Sequence, residues 1–315
     1  MKTNYIRHEP YGHCSTICPH KDGILLAYYV GPECRDEQHV RIESRVNNEL
    51  KSSYTLYKKT GNCVLFAISQ HEAIIIYSHF NDTNGITYPN NPVERWVYCS
   101  NWVSVITTLG DTIILSEPIP LNTHPEIGYL TRCAPIHLFK QWLLPIYHEK
   151  PSYGTILKSQ HGLNWRTAGH IGLQLNKCIQ PTIWEHNNTI HSLSRNTSKT
   201  HKTAWYSYSN DSGETWSDIV STSIDNTNNS LVVVNDGNKD PLIIWNKGYG
   251  RHNLMLGRLN QNDLTIKQYK KLNRGQTGSY PNYCFDNNGS LHVVHTDHLN
   301  IAHHIFTEND LKNYD

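Results

Sequence analysis

The feature that most restricts the fold of this chain is a hairpin pattern that occurs six times. Each copy is a short apolar strand, a polar turn and a second apolar strand. The copies follow one another at intervals of roughly 50 residues, a spacing typical of repeat architectures. They read CSTICPHKDGILLAYY, CVLFAISQHEAIIIYS, APIHLFKQWLLPIY, QPTIWEHNNTIHSLSR, LVVVNDGNKDPLIIWN and PNYCFDNNGSLHVVHT.

A hairpin of this kind cannot bury both of its faces alone. Radial stacking of such units as four-stranded blades buries the faces and leaves only short edges. We therefore predict an all-β chain that folds as a six-bladed β-propeller, with residues 1–315 forming a single domain. A flat sandwich is the alternative, but it does not explain six similar units. Helical patterns are weak, and they are confined to TENDLKNYD at the end and to APIHLFKQW.

The composition restricts the partners of the chain. With 28 basic and 27 acidic residues the formal net charge is +1, which gives no electrostatic reason to expect nucleic acid or an anionic membrane as the main partner. No stretch approaches the roughly 18 apolar residues of a membrane-spanning helix, and the first residues contain no apolar run like that of a signal peptide. We expect a cytoplasmic protein without a transmembrane segment, and peripheral attachment to a membrane is compatible with this.

The cysteines and histidines do not suggest a metal framework. The eight Cys are scattered without a CxxC pair, so we expect reduced thiols in strands rather than disulfides. In HVVHTDHLNIAHH, His292 and His295 differ by an odd number of positions and point to opposite faces of a strand. We therefore expect no metal site and no cofactor.

One polar turn is well defined by its residue types. SNDSGETW, from Ser209 to Trp216, combines an Asp, a Gly and a Trp, and KSQHGLNWR is a weaker echo of it. Asp211 can accept hydrogen bonds from the backbone of its own turn, and Gly213 permits a positive φ. Trp216 offers a large apolar face for packing between blades. The pattern therefore predicts a structural turn.

This turn also carries a family resemblance. Ser-x-Asp-x-Gly-x-Thr-Trp is the Asp-box, or BNR repeat, of the sialidase-like propellers, and the chain matches it at every defined position. The chain resembles the sialidase superfamily, and within it the branch of BNR repeat-like predicted neuraminidases. In that family the box lies between the outer strands of a blade, on the rim away from the substrate. Further matching stretches are HCSTICPHKDGILLAYYVGPE, GNCVLF, YLTRCAPIHLFKQWLLPIYHE, IQPTIWEHNNTIHSLSR, NTNNS, IIWNKGYGRHNLMLGRL and SYPNYCFDNNGSLHVVHT.

The resemblance implies a pocket for a carboxylated sugar. Sialidases bind the substrate carboxylate with a cluster of Arg, because guanidinium groups match carboxylate geometry. Their nucleophile is a Tyr that a Glu makes more reactive, and a loop Asp transfers protons. Carried over position by position, the resemblance implies that Arg195 and Arg251 bind the carboxylate and that Tyr280 is the nucleophile.

Three positions depart from the sialidase pattern. Gln180 stands where the Glu is expected, and a carboxamide cannot take a proton from Tyr at neutral pH. His13 stands where the first Arg is expected, and the acid/base Asp falls in the loop ECRDEQHV, where Asp36, Glu37 and His39 are candidates. An imidazole can hold a proton near neutral pH, so either histidine is expected to polarise the catalytic Tyr or to protonate a leaving group. Arg132, Glu33 and Arg35 are expected to face the same pocket.

Three functions fit these residues. The first is an exo-glycoside hydrolase that removes a terminal carboxylated sugar such as sialic acid or Kdo. The second is a lyase on uronate-containing glycans, in which His13, His39 and Tyr280 move protons and an Arg neutralises the uronate. The third is a non-catalytic propeller that binds a glycan or a protein, for which Gln180 is the best indication. The expected partner is a carbohydrate with a carboxylate, and a protein partner stays open.

Overall fold

The computed structural model describes residues 1–6, 11–80, 92–121, 128–173, 175, 177–237 and 240–312. Within these ranges the chain forms six antiparallel sheets arranged as the blades of a β-propeller, which confirms the predicted fold. The alternative of a flat sandwich is wrong. The two described helical segments are a 3-10 helix at Pro92–Tyr98 and the short α1 at Glu308–Leu311.

The strands of the first three blades follow in chain order. They are β2 (Gly12–His20), β3 (Gly23–Val30), β4 (His39–Val46) and β5 (Glu49–Lys58); β6 (Thr60–Ala67), β7 (Ala73–Phe80), β8 (Cys99–Leu109), β9 (Thr112–Leu115) and β10 (Ile119–Pro120); and β11 (Tyr129–Thr131), β12 (Ile136–Leu138), β13 (Gln141–His148), β14 (Tyr153–Ser159) and β15 (Arg166–Ile171).

The last three blades have four strands each. They are β16 (Cys178–His186), β17 (Thr189–Asn196), β18 (Thr203–Ser209) and β19 (Val220–Asp225); β20 (Val232–Val234), β21 (Leu242–Asn246), β22 (Leu254–Leu259) and β23 (Ile266–Lys271); and β24 (Gly278–Phe285), β25 (Leu291–Asp297), β26 (Asn300–Phe306) and β1 (Lys2–Ile6).

The first strand of each blade lies innermost. Strand β2 contacts β6 and β24, and β20 contacts β16 and β24, so inner strands of neighbouring blades pack on one another. Buried aliphatic residues fill the space between blades, as where Leu25 and Ile42 of the first blade meet Leu65 and Ile75 of the second. All eight cysteines are buried free thiols; six lie in strands, as predicted, whereas Cys34 and Cys133 lie in loops.

The last blade contains strands from both ends of the described chain. Strand β1 pairs antiparallel with β26, with Lys2 opposite Ile305 and Ile6 opposite Ile301. The pairing supplies the fourth strand of this blade and closes the ring. The hairpin pattern gave no indication of it, because β1 is separated from its partner by nearly the whole sequence.

One helical expectation was wrong and one was partly right. In APIHLFKQW the chain forms strands β12 and β13, joined at Phe139 and Lys140 with φ of 50° and 62°. Two consecutive residues with positive φ make a tight hairpin turn whose twist matches that of the strands, which excludes a helix. In TENDLKNYD a single helical turn forms, and Thr307 caps it by accepting a hydrogen bond from the backbone of Asp310.

The Asp-box lies between β18 and β19, the two outer strands of the fourth blade. One carboxylate oxygen of Asp211 accepts the backbone N–H of Thr215 at 2.9 Å and the hydroxyl of Ser209 at 2.8 Å. The hydroxyl of Thr215 donates to the other carboxylate oxygen at 2.5 Å, and the side-chain and backbone bonds from Thr215 lower the pKa of Asp211 to about 2. Gly213 has a φ of 89°, and the Trp216 indole N–H donates to the Gly213 carbonyl at 3.2 Å.

The box also joins the fourth blade to the third. Trp216 packs against an apolar cluster that the third and fourth blades share, and a Cβ on Gly169 of the third blade would lie 2.6 Å from its indole. Glu214 accepts hydrogen bonds from Lys158 at 2.6 Å and Arg166 at 2.5 Å. The box is therefore a contact between blades.

The histidines near the end of the chain form two pairs. The Nδ1 atom of His292 lies 2.9 Å from Nε2 of His303, and His295 and His304 are the same distance apart through their Nε2 atoms. In the described ranges no three His, Cys, Asp or Glu side chains are grouped as a metal ion would require. None of the described helices is long and apolar enough to cross a membrane.

Candidate active site

Three inner strands have the same local distortion near their first residues. Cys14 of β2, Gln180 of β16 and Tyr280 of β24 have φ of 55°, 51° and 52°, and each lies in an interruption of the strand register. A left-handed conformation costs a non-glycine residue roughly 1–2 kcal/mol. Such strain is found most often at functional sites, and here it places Gln180 and Tyr280 among a group of arginines.

Tyr280 is surrounded by positive and aromatic groups. The Nη2 atom of Arg251 donates to its phenolic oxygen at 3.2 Å, and the same guanidinium lies 4.8 Å from the ring centre. The guanidinium of Arg132 lies 5.4 Å from the ring centre, and His13 packs edge-on at 4.8 Å between ring centres. A cationic donor stabilises a phenolate oxygen, so this arrangement suits a nucleophilic Tyr.

Gln180 belongs to a second part of the site. Its Oε1 accepts a hydrogen bond from Nη1 of Arg195 at 3.1 Å, and its Nε2 donates to the hydroxyl of Tyr147 at 3.2 Å. No described hydrogen bond joins Gln180 to Tyr280. The side chain at the position of the sialidase Glu therefore holds an arginine and a second tyrosine.

Residues from one segment hold all three arginines. Between β19 and β20, Asn228 accepts from Nε of Arg195 at 2.8 Å, Asn229 from Nε of Arg251 at 3.3 Å, and Ser230 from Nε of Arg132 at 3.3 Å. All of these acceptors are neutral. Within the described residues none of the three guanidinium groups pairs with a carboxylate. Partly buried guanidinium groups without an ion-pair partner form a site for an anion, and the charges of Glu149 and Glu33 act on Arg195 and Arg251 only at longer range.

Arg132 differs from the other two arginines. It is 2% exposed, and its Nη1 and Nη2 donate to the carbonyls of Ser15 and Pro281 at 3.3 and 2.8 Å. These bonds join the inner strands of the first and last blades. Three of its five N–H groups are bonded to the protein, so Arg132 contributes mainly charge and rigidity to the site.

The expectation that His13 holds a proton near neutral pH was wrong. Burial, with the nearby charges of Arg251 and Arg132, lowers its pKa to about 3. The imidazole is therefore neutral at pH 7 and does not replace the positive charge of the expected Arg. It stays in contact with Tyr280 and also packs edge-on to Tyr29, at 5.3 Å between ring centres.

The loop between β3 and β4 directs its candidate acids away from the arginines. Asp36 forms an ion pair with Arg95 at 2.6 Å, and Nδ1 of His39 lies 2.9 Å from the Glu37 carbonyl. No hydrogen bond or ion pair in the described part of the chain joins either residue to Tyr280. Their roles as proton donors stay predictions.

Glu33 and Arg35 lie in the same loop and are exposed. Burial, with the charge of Glu33, raises the pKa of Tyr29, which puts this carboxylate near the pocket. Arg35 makes a backbone contact to Pro32, and among the described contacts its side chain has none to the arginine group. Its expected position in the pocket is therefore unsupported.

Sequence reasoning missed three features of the site. Tyr147, Glu149 and the segment that includes Asn229 all fall in stretches that resemble the family, but none stands at a position with a known role. Burial raises the pKa of Glu149, while the charge of Arg195 opposes this. The spacing of IYHE and NTNNS in the sequence gives no sign that they meet at the axis, because they come from different blades.

A six-bladed propeller with an Asp-box on its rim and a Tyr among arginines near its axis has the architecture of a sialidase. The chain belongs to the BNR repeat-like domain family, whose model matches residues 37–293. No sequence among the curated proteins matches it.

Solved structures with the same fold include sialidases. A Hadza microbial sialidase has a TM-score of 0.75 at 12% identity, over 98% of this chain and 68% of its own. The intramolecular trans-sialidase of Ruminococcus gnavus gives 0.70 at 12%, over 96% and 95%. A protein of unknown function from Dyadobacter fermentans gives 0.74 at 15%, over 97% of both chains. At these identities the likeness establishes the fold alone.

Proposed function

We propose that this protein is a sialidase-like glycoside hydrolase that removes a terminal carboxylated sugar, such as sialic acid or Kdo. The observation that carries the proposal is the group of three guanidinium groups that have no carboxylate partner among the described residues, one of which donates to Tyr280. Such a group attracts a carboxylate, and the anomeric carbon of these sugars bears one. The fold shared with sialidases supports the same class of reaction.

In the proposed mechanism Arg195 and Arg251 bind the sugar carboxylate. The phenolic oxygen of Tyr280 attacks the anomeric carbon and its proton passes to water, while Arg251 donates a hydrogen bond to this oxygen. A C–O bond forms to the enzyme, and the glycosidic C–O bond breaks. The leaving oxygen takes a proton from an acid, and water then hydrolyses the glycosyl–tyrosine bond. Glu149 is a better source of that proton than Asp36, because burial raises its pKa while Asp36 pairs with Arg95.

The test is a set of fluorogenic glycosides of N-acetylneuraminic acid and Kdo, with a neutral β-glucoside as the control. We expect release from an acidic glycoside only, and we expect Tyr280→Phe to abolish it. A 2,3-difluoro analogue of the hydrolysed sugar should add its mass to the peptide that contains Tyr280. Release that persists in Tyr280→Phe, or that is equal for the neutral glucoside, would exclude the mechanism.

A second candidate, a propeller that binds an acidic glycan without turnover, is favoured by Gln180. Its amide is bonded on both sides and cannot accept the proton of a nucleophilic Tyr. Under this function the sugar acid binds with equal affinity to wild type and Tyr280→Phe, and no acidic glycoside is cleaved. The same measurements therefore separate the two functions.

A further inference from the structure

The hydroxyl of Tyr147 takes no part in the mechanism above, although it lies in the same site. Tyr147 is on β13, the middle of the third blade, and is 2% exposed. Its oxygen reaches inner strands of both neighbouring blades, where it accepts hydrogen bonds from Gln180 at 3.2 Å and from Nδ2 of Asn62 at 3.4 Å. Burial and the charge of Glu149 raise the pKa of this hydroxyl, and Arg195 is a further charged neighbour that opposes them.

The direction of the Gln180 bond is fixed by Arg195. A guanidinium group has donors only, so the amide atom that faces Arg195 must be the oxygen Oε1. The nitrogen Nε2 then faces Tyr147 and must donate to it. The phenolic oxygen is thus an acceptor in this bond.

With Asn62 oriented as in the structure, the O–H of Tyr147 has no acceptor among the described residues. Both neighbours of the hydroxyl present N–H groups to it, and no other described hydrogen bond involves this side chain. A buried donor without a partner costs roughly 1–3 kcal/mol, and such groups are rare in folded proteins. A ligand oxygen in the pocket would satisfy it.

A carboxylate at position 180 would change both neighbours. Because a carboxylate is only an acceptor, it would accept a hydrogen bond from the O–H of Tyr147. Because it is negative, it would also form an ion pair with Arg195. The amide does neither. Among the described residues, Gln180 therefore leaves Arg195 without an ion-pair partner and the O–H of Tyr147 without an acceptor, and the charge of Glu149 acts on both only at longer range.

We propose that Tyr147 is a further substrate-binding residue, whose O–H donates to an oxygen of the sugar acid bound by Arg195, and that Gln180 is the positioning residue that makes both groups available. The proposal rests on the proposed function for the class of ligand. Under this proposal, the Gln that stands at the position of the sialidase Glu has a role in substrate binding.

The test is a double-mutant cycle read by binding, with free N-acetylneuraminic acid and free Kdo as the probes and calorimetry as the measurement. We expect Tyr147→Phe and Gln180→Glu each to weaken binding of the better probe about tenfold or more. In the Gln180→Glu background, Tyr147→Phe should cause no further loss, because its proton is already directed to the carboxylate. Tyr206→Phe, which removes a hydroxyl bonded to His191 in the outer part of the fourth blade, is the matched control and should bind as wild type.

Three results would overturn the proposal. The first is a double variant in which the fold-losses of affinity of the single variants multiply. The others are an unchanged affinity in Tyr147→Phe and a wild-type protein that binds neither probe. Gln180→Met adds a comparison that does not depend on the folding of Tyr147→Phe. In Gln180→Met the charge of Arg195 has no carboxylate beside it at position 180, so this variant should bind the acid more tightly than Gln180→Glu. Equal affinities of these two variants would contradict the proposal. Because the readout is binding, a wild type that binds the acid but cleaves no glycoside refutes the hydrolase and leaves this cycle intact.

Discussion

The central pocket and the Asp-box turn contain similar charged side chains but compensate them in opposite ways. On the rim, Glu214 is bonded to both Lys158 and Arg166. At the axis, Arg195 and Arg251 are held by neutral amides. On the rim the ion pairs thus join two blades, whereas in the pocket the guanidinium groups remain able to bind an anion.

This difference indicates that residues on the rim contribute to the stability of the propeller, while residues in the pocket contribute to its function. Holding like charges together without counterions is unfavourable to folding, and the arrangement is expected only where a ligand supplies the missing charge. We therefore expect substitutions in the pocket to reduce activity with little loss of stability. Substitutions on the rim should have the reverse effect.

The largest expected effect is that of Arg251→Met. Removing the donor to Tyr280 and one carboxylate ligand should lower kcat/KM on the hydrolysed glycoside about 10²–10³-fold. The thermal midpoint should stay the same or rise, because repulsion within the arginine group falls. Arg166→Met on the rim is the control and should keep full activity. A large fall in the thermal midpoint of Arg251→Met would contradict the claim that pocket substitutions leave stability nearly unchanged.

Trp216→Ala should have the largest effect on the rim. The indole is partly buried against the third blade, so its loss should reduce the free energy of unfolding by about 2–3 kcal/mol, at or below the low end of the usual range for Trp→Ala. Urea unfolding measures this. The value of kcat/KM at a temperature well below the transition should equal that of wild type, and a parallel loss of activity would show that the box influences the pocket.

The next effect depends on pH. In the unfolded chain His13 takes up a proton near its ordinary pKa of about 6.5, while in the folded chain its pKa is about 3. Below pH 6.5 the unfolded state therefore binds more protons, and stability falls as the pH is lowered, by up to about 1.4 kcal/mol per pH unit.

His13→Gln removes this contribution and leaves the other histidines in place. Between pH 7 and pH 5 the variant should lose up to about 2 kcal/mol less stability than wild type, which denaturant unfolding at both values measures. On the rim the folded pKa of Asp211 is about 2, so its contribution is present at both values and is lost only under more acidic conditions. Equal losses in both proteins would show that His13 is not held neutral.

The smallest effect is expected for Glu214→Gln. Its carboxylate is 42% exposed, and exposed ion pairs contribute less than about 1 kcal/mol. The loss of stability should shrink further in high salt, and activity should not change. A loss as large as that of Trp216→Ala would mean that charge, and not packing, joins these two blades.

The fold was predictable from the sequence because its signals are local. Six hairpins and an Asp-box can be recognised within short windows, and most strand pairs join strands that are close in the chain. The pairing of β1 with β26 could not be predicted, because it joins distant segments. At APIHLFKQW the repeat pattern predicted a hairpin while the local pattern predicted a helix, and the hairpin forms with positive φ at Phe139 and Lys140, residue types that do not indicate this conformation.

The site was predictable only in part, for the same reason. The positions of Arg251, Tyr280 and His13 followed from the family resemblance, and the structure brings them together. The neutral state of His13 depends on arginines from other blades. The bond from Gln180 to Tyr147 depends on a strand of the third blade with no recognisable motif.

The pairing of β1 with β26 has a consequence for folding during synthesis. Strand β1 leaves the ribosome before the other strands of the propeller, and its partner β26 follows almost 300 positions later. During that interval β1 has no strand partner and its edges are open to other chains. Pairing over so long a separation is slow, so ring closure should be the final step of folding, and loss of β26 should leave an open and aggregation-prone chain.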